Sequence, residues 1–97
     1  MKQKIGIFVL NFNGIAWLKK NLKILLKYSD NSDIIIIDNN SSDNSVKYVK
    51  ESFPQIEVKS NPINYGFAKG YNEILLKENR YDIFALINND VEVTPNW

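Results

Sequence analysis

Ile34-Ile35-Ile36-Ile37-Asp38-Asn39-Asn40-Ser41-Ser42-Asp43 passes from four isoleucines directly into an unbroken polar block. A short run of β-branched residues with no polar alternation reads as a strand buried on both faces, and the block after it has almost nothing to bury. Working outward, the same step recurs three more times: Ile5 to Leu10 into Asn11, Ile56 to Val58 into Asn61, and Ile83 to Ile87 into Asn88-Asn89-Asp90. In open α/β sheets the carboxyl ends of parallel strands lie side by side, so polar residues placed there converge on one rim although they are far apart in sequence. The pattern predicts a single nucleotide-sized site.

The intervening segments read as helices. Ile15, Leu18, Leu22, Leu25 and Leu26 recur at helical spacing, with Lys19, Lys20, Lys23 and Lys27 among the polar positions between them. After the polar block, which holds several good helix N-caps, Val46, Val49 and Phe53 mark a short second helix that Pro54 closes. Ile56 to Lys59 is a third strand, more alternating than the second and so placed towards an edge, and Asn61-Pro62 ends it. Phe67, Ala68, Tyr71, Ile74 and Leu75 suggest a third helix, with Phe67 and Tyr71 as core residues. Gly66 and Gly70 would weaken its first turn by about 1 kcal/mol each, so they answer to something besides helix stability. Tyr81 to Ile87 is the fourth strand.

The order β-α-β-α-β-α-β requires right-handed crossovers and hence a mostly parallel sheet. The expected fold class is α/β, a Rossmann-like three-layer sandwich with the first strand central and strand order 3-2-1-4. Most of the asparagines read as solvated loop or cap residues. Residues 1–97 form one domain, short for an α/β enzyme and so expected to be a piece of something larger.

Composition narrows the chemistry. Twelve basic against eleven acidic side chains give no field that would draw nucleic acid or an anionic membrane. The absence of Cys and His excludes a disulfide framework, a thiol nucleophile, a Cys/His zinc site and an imidazole base within these residues. Catalysis must rest on carboxylates or a metal. No apolar run approaches the roughly 20 residues that span a bilayer, and the chain is expected to be soluble and cytoplasmic.

At the rim, Asp38 is placed to accept a hydrogen bond from a ribose hydroxyl or a base N–H, or else to cap the next turn. Asp90, with Asn88 and Asn89 before it, is the natural ligand for Mg²⁺ or Mn²⁺, which favour one or two carboxylates completed by phosphates and water; an Asx turn is the alternative. Asn64, Gly66, Lys69, Gly70 and Asn72 surround a helix start whose backbone amides can meet a phosphate or sugar oxygen, with Lys69 offsetting charge or lying in solvent. Asn11 and Asn13 either frame a base or satisfy backbone groups where strand becomes loop.

Together these residues resemble the start of a family 2 glycosyltransferase of the GT-A fold, especially its bacterial rhamnosyltransferase-like branch. Ile7 to Gly14 resembles the family's opening nucleotide-binding segment, and Asp38-Asn39-Asn40-Ser41-Ser42-Asp43 its D-N-x-S-x-D loop. Asn64-x-Gly66-Phe67-Ala68-x-Gly70-x-Asn72 is similar to N-x-G-F-A-x-G-x-N, the most specific of the four signals. Leu86 to Val91 resembles the D-x-D metal segment, with Asn88 in the first acidic position and Asp90 left to carry the cation. Ile74 departs from the pattern where the family often has glycine.

The resemblance implies metal-assisted inverting transfer from a nucleoside-diphosphate sugar donor to a saccharide or lipid-linked acceptor. It places Asp38 on the nucleoside, and Asn11, Asn13, Asn64, Gly66, Lys69, Asn72 and Asn89 around the donor. It also implies a role in cell-surface polysaccharide synthesis, with the full-length protein cytoplasmic or peripheral to the inner face of the membrane. The acceptor half and the acidic general base are expected beyond Trp97, so the fragment alone is expected to be inactive, and its free sheet edge invites a homodimer.

Competing readings are a dinucleotide-binding oxidoreductase half, a flavodoxin-like phosphate-receiver domain and a non-catalytic nucleotide-binding module. The first lacks G-x-G-x-x-G after the opening strand, and the second lacks an acidic pair there.

Overall fold

The computed structural model describes residues 3–95 and residue 97. Four strands, β1 (Ile5–Asn11), β2 (Ser32–Asp38), β3 (Glu57–Ser60) and β4 (Ile83–Asn88), alternate with three helices, α1 (Ile15–Lys27), α2 (Ser45–Ser52) and α3 (Gly66–Leu75). The sheet has order β3-β2-β1-β4 and every pairing is parallel. The α/β class, the central first strand and the order 3-2-1-4 are as the sequence predicts.

Register explains the layers. Ile7 pairs with Ile34 and Phe8 with Ile35, so side chains at matching positions of β1 and β2 share a face. Ile7, Val9, Ile34 and Ile36 pack with Leu18, Leu22 and Leu25 of α1 and Val49 of α2. Phe8, Ile35 and Ile37 form a smaller cluster with Tyr71 of α3 on the other face. Both central strands are therefore apolar at consecutive positions, because water reaches neither face.

Three local expectations need correction. Strand β3 starts at Glu57, since Ile56 turns inward before it and its N–H donates to Phe53 O at 2.9 Å. Strand β4 starts at Ile83, because Asp82 is occupied in hanging the chain on Lys4: its N–H donates to Lys4 O and its carboxylate accepts from Lys4 N, both at 2.8 Å. Phe67 is 59% exposed and not core. It lies in the first turn of α3, which starts at the carboxyl rim, and its ring meets Tyr71 edge-on with centroids 5.2 Å apart.

Tyr71 fastens α3 to the sheet. Its hydroxyl lies 2.7 Å from Ile87 O and 3.2 Å from Phe8 O, and it accepts from Leu10 N at 3.2 Å, so one group touches both β1 and β4. Burial pushes the phenol above its usual pKa and keeps it a donor.

Asp43 serves two helices at once. Its Oδ2 accepts from Ile15 N, the first residue of α1, at 3.2 Å, and its Oδ1 accepts from Ser45 N at 3.0 Å and from the Ser45 hydroxyl. Neither Gly14 nor Asn44, which immediately precede the helices, makes a side-chain cap bond. Of the cap candidates in the polar block, Asp43 supplies the cap for both. Burial opposes the charge on Asp43, but the bonds from Ser45 and Ile15 prevail and hold its pKa below the ordinary 3.8.

Removing the hydroxyl with Tyr71→Phe is expected to cost about 1–2 kcal/mol in a urea titration, with far-ultraviolet dichroism unchanged. Asp43→Ala is expected to cost about 1–2 kcal/mol at neutral pH, as the loss of a cap does. Because the folded-state pKa of Asp43 is depressed, its contribution is complete above the unfolded value of 3.8 and disappears as pH falls through the folded value. The stability gap between wild type and Asp43→Ala should therefore be constant from about pH 7 to pH 5 and close below about pH 4.

Candidate functional site

Strands β2 and β3 lie on one side of β1 and β4 on the other, so the connections change direction at β1. In sheets of this kind the crevice at that switch point, outside the carboxyl ends of the strands, is where ligands bind. Asn11 ends β1 there and is 1% exposed. Its Nδ2 donates to Asp38 Oδ1 at 3.0 Å and to Ser41 Oγ at 3.2 Å, while its Oδ1 accepts from Asn89 Nδ2 at 2.8 Å. One side chain thus joins the ends of β1, β2 and β4.

Asp38 is 2% exposed. Its Oδ1 also accepts from the Ser41 hydroxyl at 2.6 Å and its Oδ2 from Ser41 N at 2.9 Å. Oδ2 takes this single donor among the described residues and retains capacity for another. Asn13 sits at φ 50°, a left-handed conformation that asparagine tolerates better than most residues. Its N–H donates to Ser41 Oγ at 2.9 Å, and its Oδ1 accepts from Ser42 N at 2.7 Å and Asp43 N at 3.1 Å, locking the loops after β1 and β2 together.

A second cluster ties in the start of α3. Asn39, 1% exposed, donates from Nδ2 to Gly66 O at 2.9 Å and accepts at Oδ1 from Asn61 Nδ2 at 2.8 Å. A Cβ on Gly70 would lie 2.6 Å from Asn39 Nδ2, which is why this helix carries glycine facing the rim. Gly66, at φ 79°, adopts a backbone that L-residues rarely take, and Asn64 Oδ1 accepts its N–H at 2.9 Å. Lys69 is exposed, with Nζ 4.9 Å from the Tyr65 ring centre, and Asn72 is exposed on α3.

The structure joins Asn11, Asn13, Asp38 and Asn89 in one network and sets Asn64 and Gly66 beside it; no side-chain hydrogen bond links Lys69 or Asn72 to that network among the described residues. The sequence reading places Asn39, Ser41 and Asn61 in the polar segments at the rim without assigning them a role, and does not single out Asn21. Most of the described asparagines are exposed, as expected; Asn11, Asn21, Asn39 and Asn61 are the buried exceptions. The clearest available signal was Asn21, a polar residue among Leu18, Leu22 and Leu25 on the apolar face of α1.

Asp90 follows Asn89 in the turn after β4 and is exposed. Its carboxylate has no hydrogen bond or ion pair among the described residues, and among them no three Asp, Glu, His or Cys side chains gather as an ion cage. One free carboxylate fits a hard cation that arrives with a diphosphate and completes its shell with phosphate oxygens and water. It does not fit a cation held by protein groups alone.

Among solved structures, the fold is similar to the Pyrobaculum calidifontis mannosyltransferase PcManGT in complex with GDP-Man and Mn²⁺, with TM-score 0.77 and 16% identity over 95% of this chain and 29% of that one. It is also similar to S. aureus TarS 1-349 in complex with UDP-GlcNAc, with TM-score 0.81 and 17% identity over 96% of this chain and 28% of that one. The chain thus spans less than a third of either structure. At sequence level, 41 residues are 51% identical to uncharacterized protein L138 of Acanthamoeba polyphaga mimivirus, covering 42% of this chain and 5% of that protein. The family model for glycosyl transferase family 2 matches residues 6–97, and so takes in β2, β3, β4, all of β1 but Ile5, and the carboxyl rim. The chain, a parallel α/β unit whose switch point is laced with buried amides, belongs to glycosyl transferase family 2.

Proposed function

We propose that this chain supplies the donor-binding half of a metal-assisted inverting glycosyltransferase of the rhamnosyltransferase-like, hexosyl-transferring kind. The observation that carries the reading is the Asn11–Asn89 bond across the switch point, which joins the Asp38 loop to the turn bearing the free carboxylate of Asp90. A nucleoside diphosphate has its base and its phosphates at opposite ends, and the two halves of this rim match that division. Asp38 Oδ2 meets the nucleoside. Asn13, Asn64, Gly66 and Asn72 line the donor with Asn11 and Asn89 behind them, and Lys69 offsets phosphate charge.

Asp90 would hold Mg²⁺ or Mn²⁺ against the donor diphosphate, and the cation would supply Lewis-acid stabilisation of the leaving group. The residues of this chain bind and orient the donor so that its anomeric carbon is open to an acceptor hydroxyl on the far side from the leaving diphosphate. Deprotonation of that hydroxyl falls to a carboxylate outside these 97 residues, in the half that also holds the saccharide or lipid-linked acceptor. The isolated chain therefore binds donor without transferring sugar.

For the full-length protein we infer a bacterial role in cell-surface polysaccharide synthesis at the cytoplasmic side of the membrane. No helix among the described residues is long and apolar enough to cross a bilayer. Although the near-neutral total gives no long-range field, the lysine-lined exposed face of α1, with Trp17 exposed beside Lys20, locally suits a peripheral position on an anionic surface. The outer edge of β4, where Ile83, Phe84 and Leu86 are exposed, is the place for a second copy to pair.

A heteronuclear NMR titration with UDP, dTDP, GDP and NAD, each with and without Mg²⁺, tests donor binding. Metal-enhanced shifts near Asp38 and Asp90 for one of the first three, and none for NAD, are expected. Asp90→Asn should leave the spectrum folded, since no hydrogen bond or ion pair among the described residues uses that carboxylate, and should abolish the metal enhancement. Indifference of the wild type to all four nucleotides would sink the donor-site reading, and binding unaltered by Asp90→Asn would leave a nucleotide module without a metal site.

A further inference from the structure

Asn21 stands where an aliphatic residue would pack better. It lies on the apolar face of α1, 5% exposed, beside Leu18, Leu22 and Leu25. Its Nδ2 donates to Asn89 O at 3.0 Å, but no donor among the described residues reaches its buried Oδ1. A cavity of about 10 Å³ adjoins it, lined largely by aliphatic side chains together with Asn88 and Asn89. That volume is at the lower limit for one water molecule, and the wall offers few polar partners. A buried acceptor in such surroundings weakens the fold relative to a hydrocarbon of the same shape.

What the amide does hold is specific. Asn89 O belongs to the planar peptide unit that leads directly into Asp90, so holding that oxygen restrains the orientation of the unit that carries the Asp90 Cα. The same residue is gripped a second time, through its side chain, by Asn11. The turn after β4 is thereby held from below by a helix and from the side by the central strand.

Resting on the reading of Asp90 as the metal-bearing carboxylate, we propose that Asn21 is a positioning residue for the cation on the donor diphosphate, and that the core tolerates its unpaired oxygen for that reason. The polar group acts through the Asn89–Asp90 peptide and not through contact with donor or metal.

The test compares wild type, Asn21→Leu and Asp90→Asn in the 97-residue chain, measuring thermal melting and UDP, dTDP or GDP affinity over a Mn²⁺ series. Asn21→Leu is expected to melt at the same temperature or higher, to bind nucleotide without metal as the wild type does, and to show Mn²⁺ affinity reduced about tenfold, as loss of a group that orients a ligand typically does. Equal Mn²⁺ dependence in wild type and Asn21→Leu, with the dependence lost in Asp90→Asn, would overturn the role of Asn21 and leave the donor site standing. Failure of Asn21→Leu to fold would also overturn it, since the amide would then serve the fold. A wild type with no metal-dependent binding would remove both this inference and the function on which it rests.

Discussion

The rim depends on one buried amide. Asn11 is the only side chain described here that bonds across both flanks of the central strand, reaching Asp38 and Ser41 on one side and Asn89 on the other. An amide suits the place because it has donors and an acceptor at one branched end; a carboxylate would lack the donors and would repel Asp38. With Asn11 in place, Asp38 is held by the loop that follows it, and that loop in turn lends Asp43 to the starts of α1 and α2. Strand ends, loops and helix starts are one connected polar structure over an otherwise aliphatic core.

This connectedness divides the rim into two kinds of residue. Asn11, Asp38, Asn39 and Asn61 are buried and bonded to the protein, forming a rigid floor. Asn13, Asn64, Lys69, Asn72 and Asp90 are exposed above it. Rigid support beneath exposed groups suits ligand recognition in general, because the ordering of the floor is complete before a ligand arrives. The lysines follow another logic. Those of α1 lie on the outer helical layer, so a nearly neutral chain still presents a basic side that its net charge of +1 conceals.

The architecture was legible in the amino acids because β1 and β2 are covered on both faces, which leaves an uninterrupted aliphatic signature, and because helical spacing separates them. The rim was legible as a place, since each strand runs into polar residues. The roles inside it were less so. Asn39 and Asn61 are buried by tertiary contact with Gly66 and Gly70, and nothing local to either distinguishes them from a solvated Asx residue. Phe67 has the right helical spacing for the core but belongs to a first turn that starts at the carboxyl rim, a fact of placement that periodicity does not contain. Gly70 shows the reverse case: its cost to helix propensity signalled a constraint, and the close approach of Asn39 is that constraint.

The two bonds of Asn11 also differ in the stretch of chain they enclose. Asp38 lies 27 residues away and Asn89 lies 78 away. Closing the longer loop demands nearly the whole polypeptide, and parallel pairing earns no contacts until the crossover is made. The Asp38 side of the rim can therefore assemble with the first βαβ unit, while the Asp90 side exists only after β4 docks against β1. Among the described residues β4, like β3, has a neighbour on one edge only, so fraying of that strand dismantles the Asp90 half of the rim while the other half stays formed.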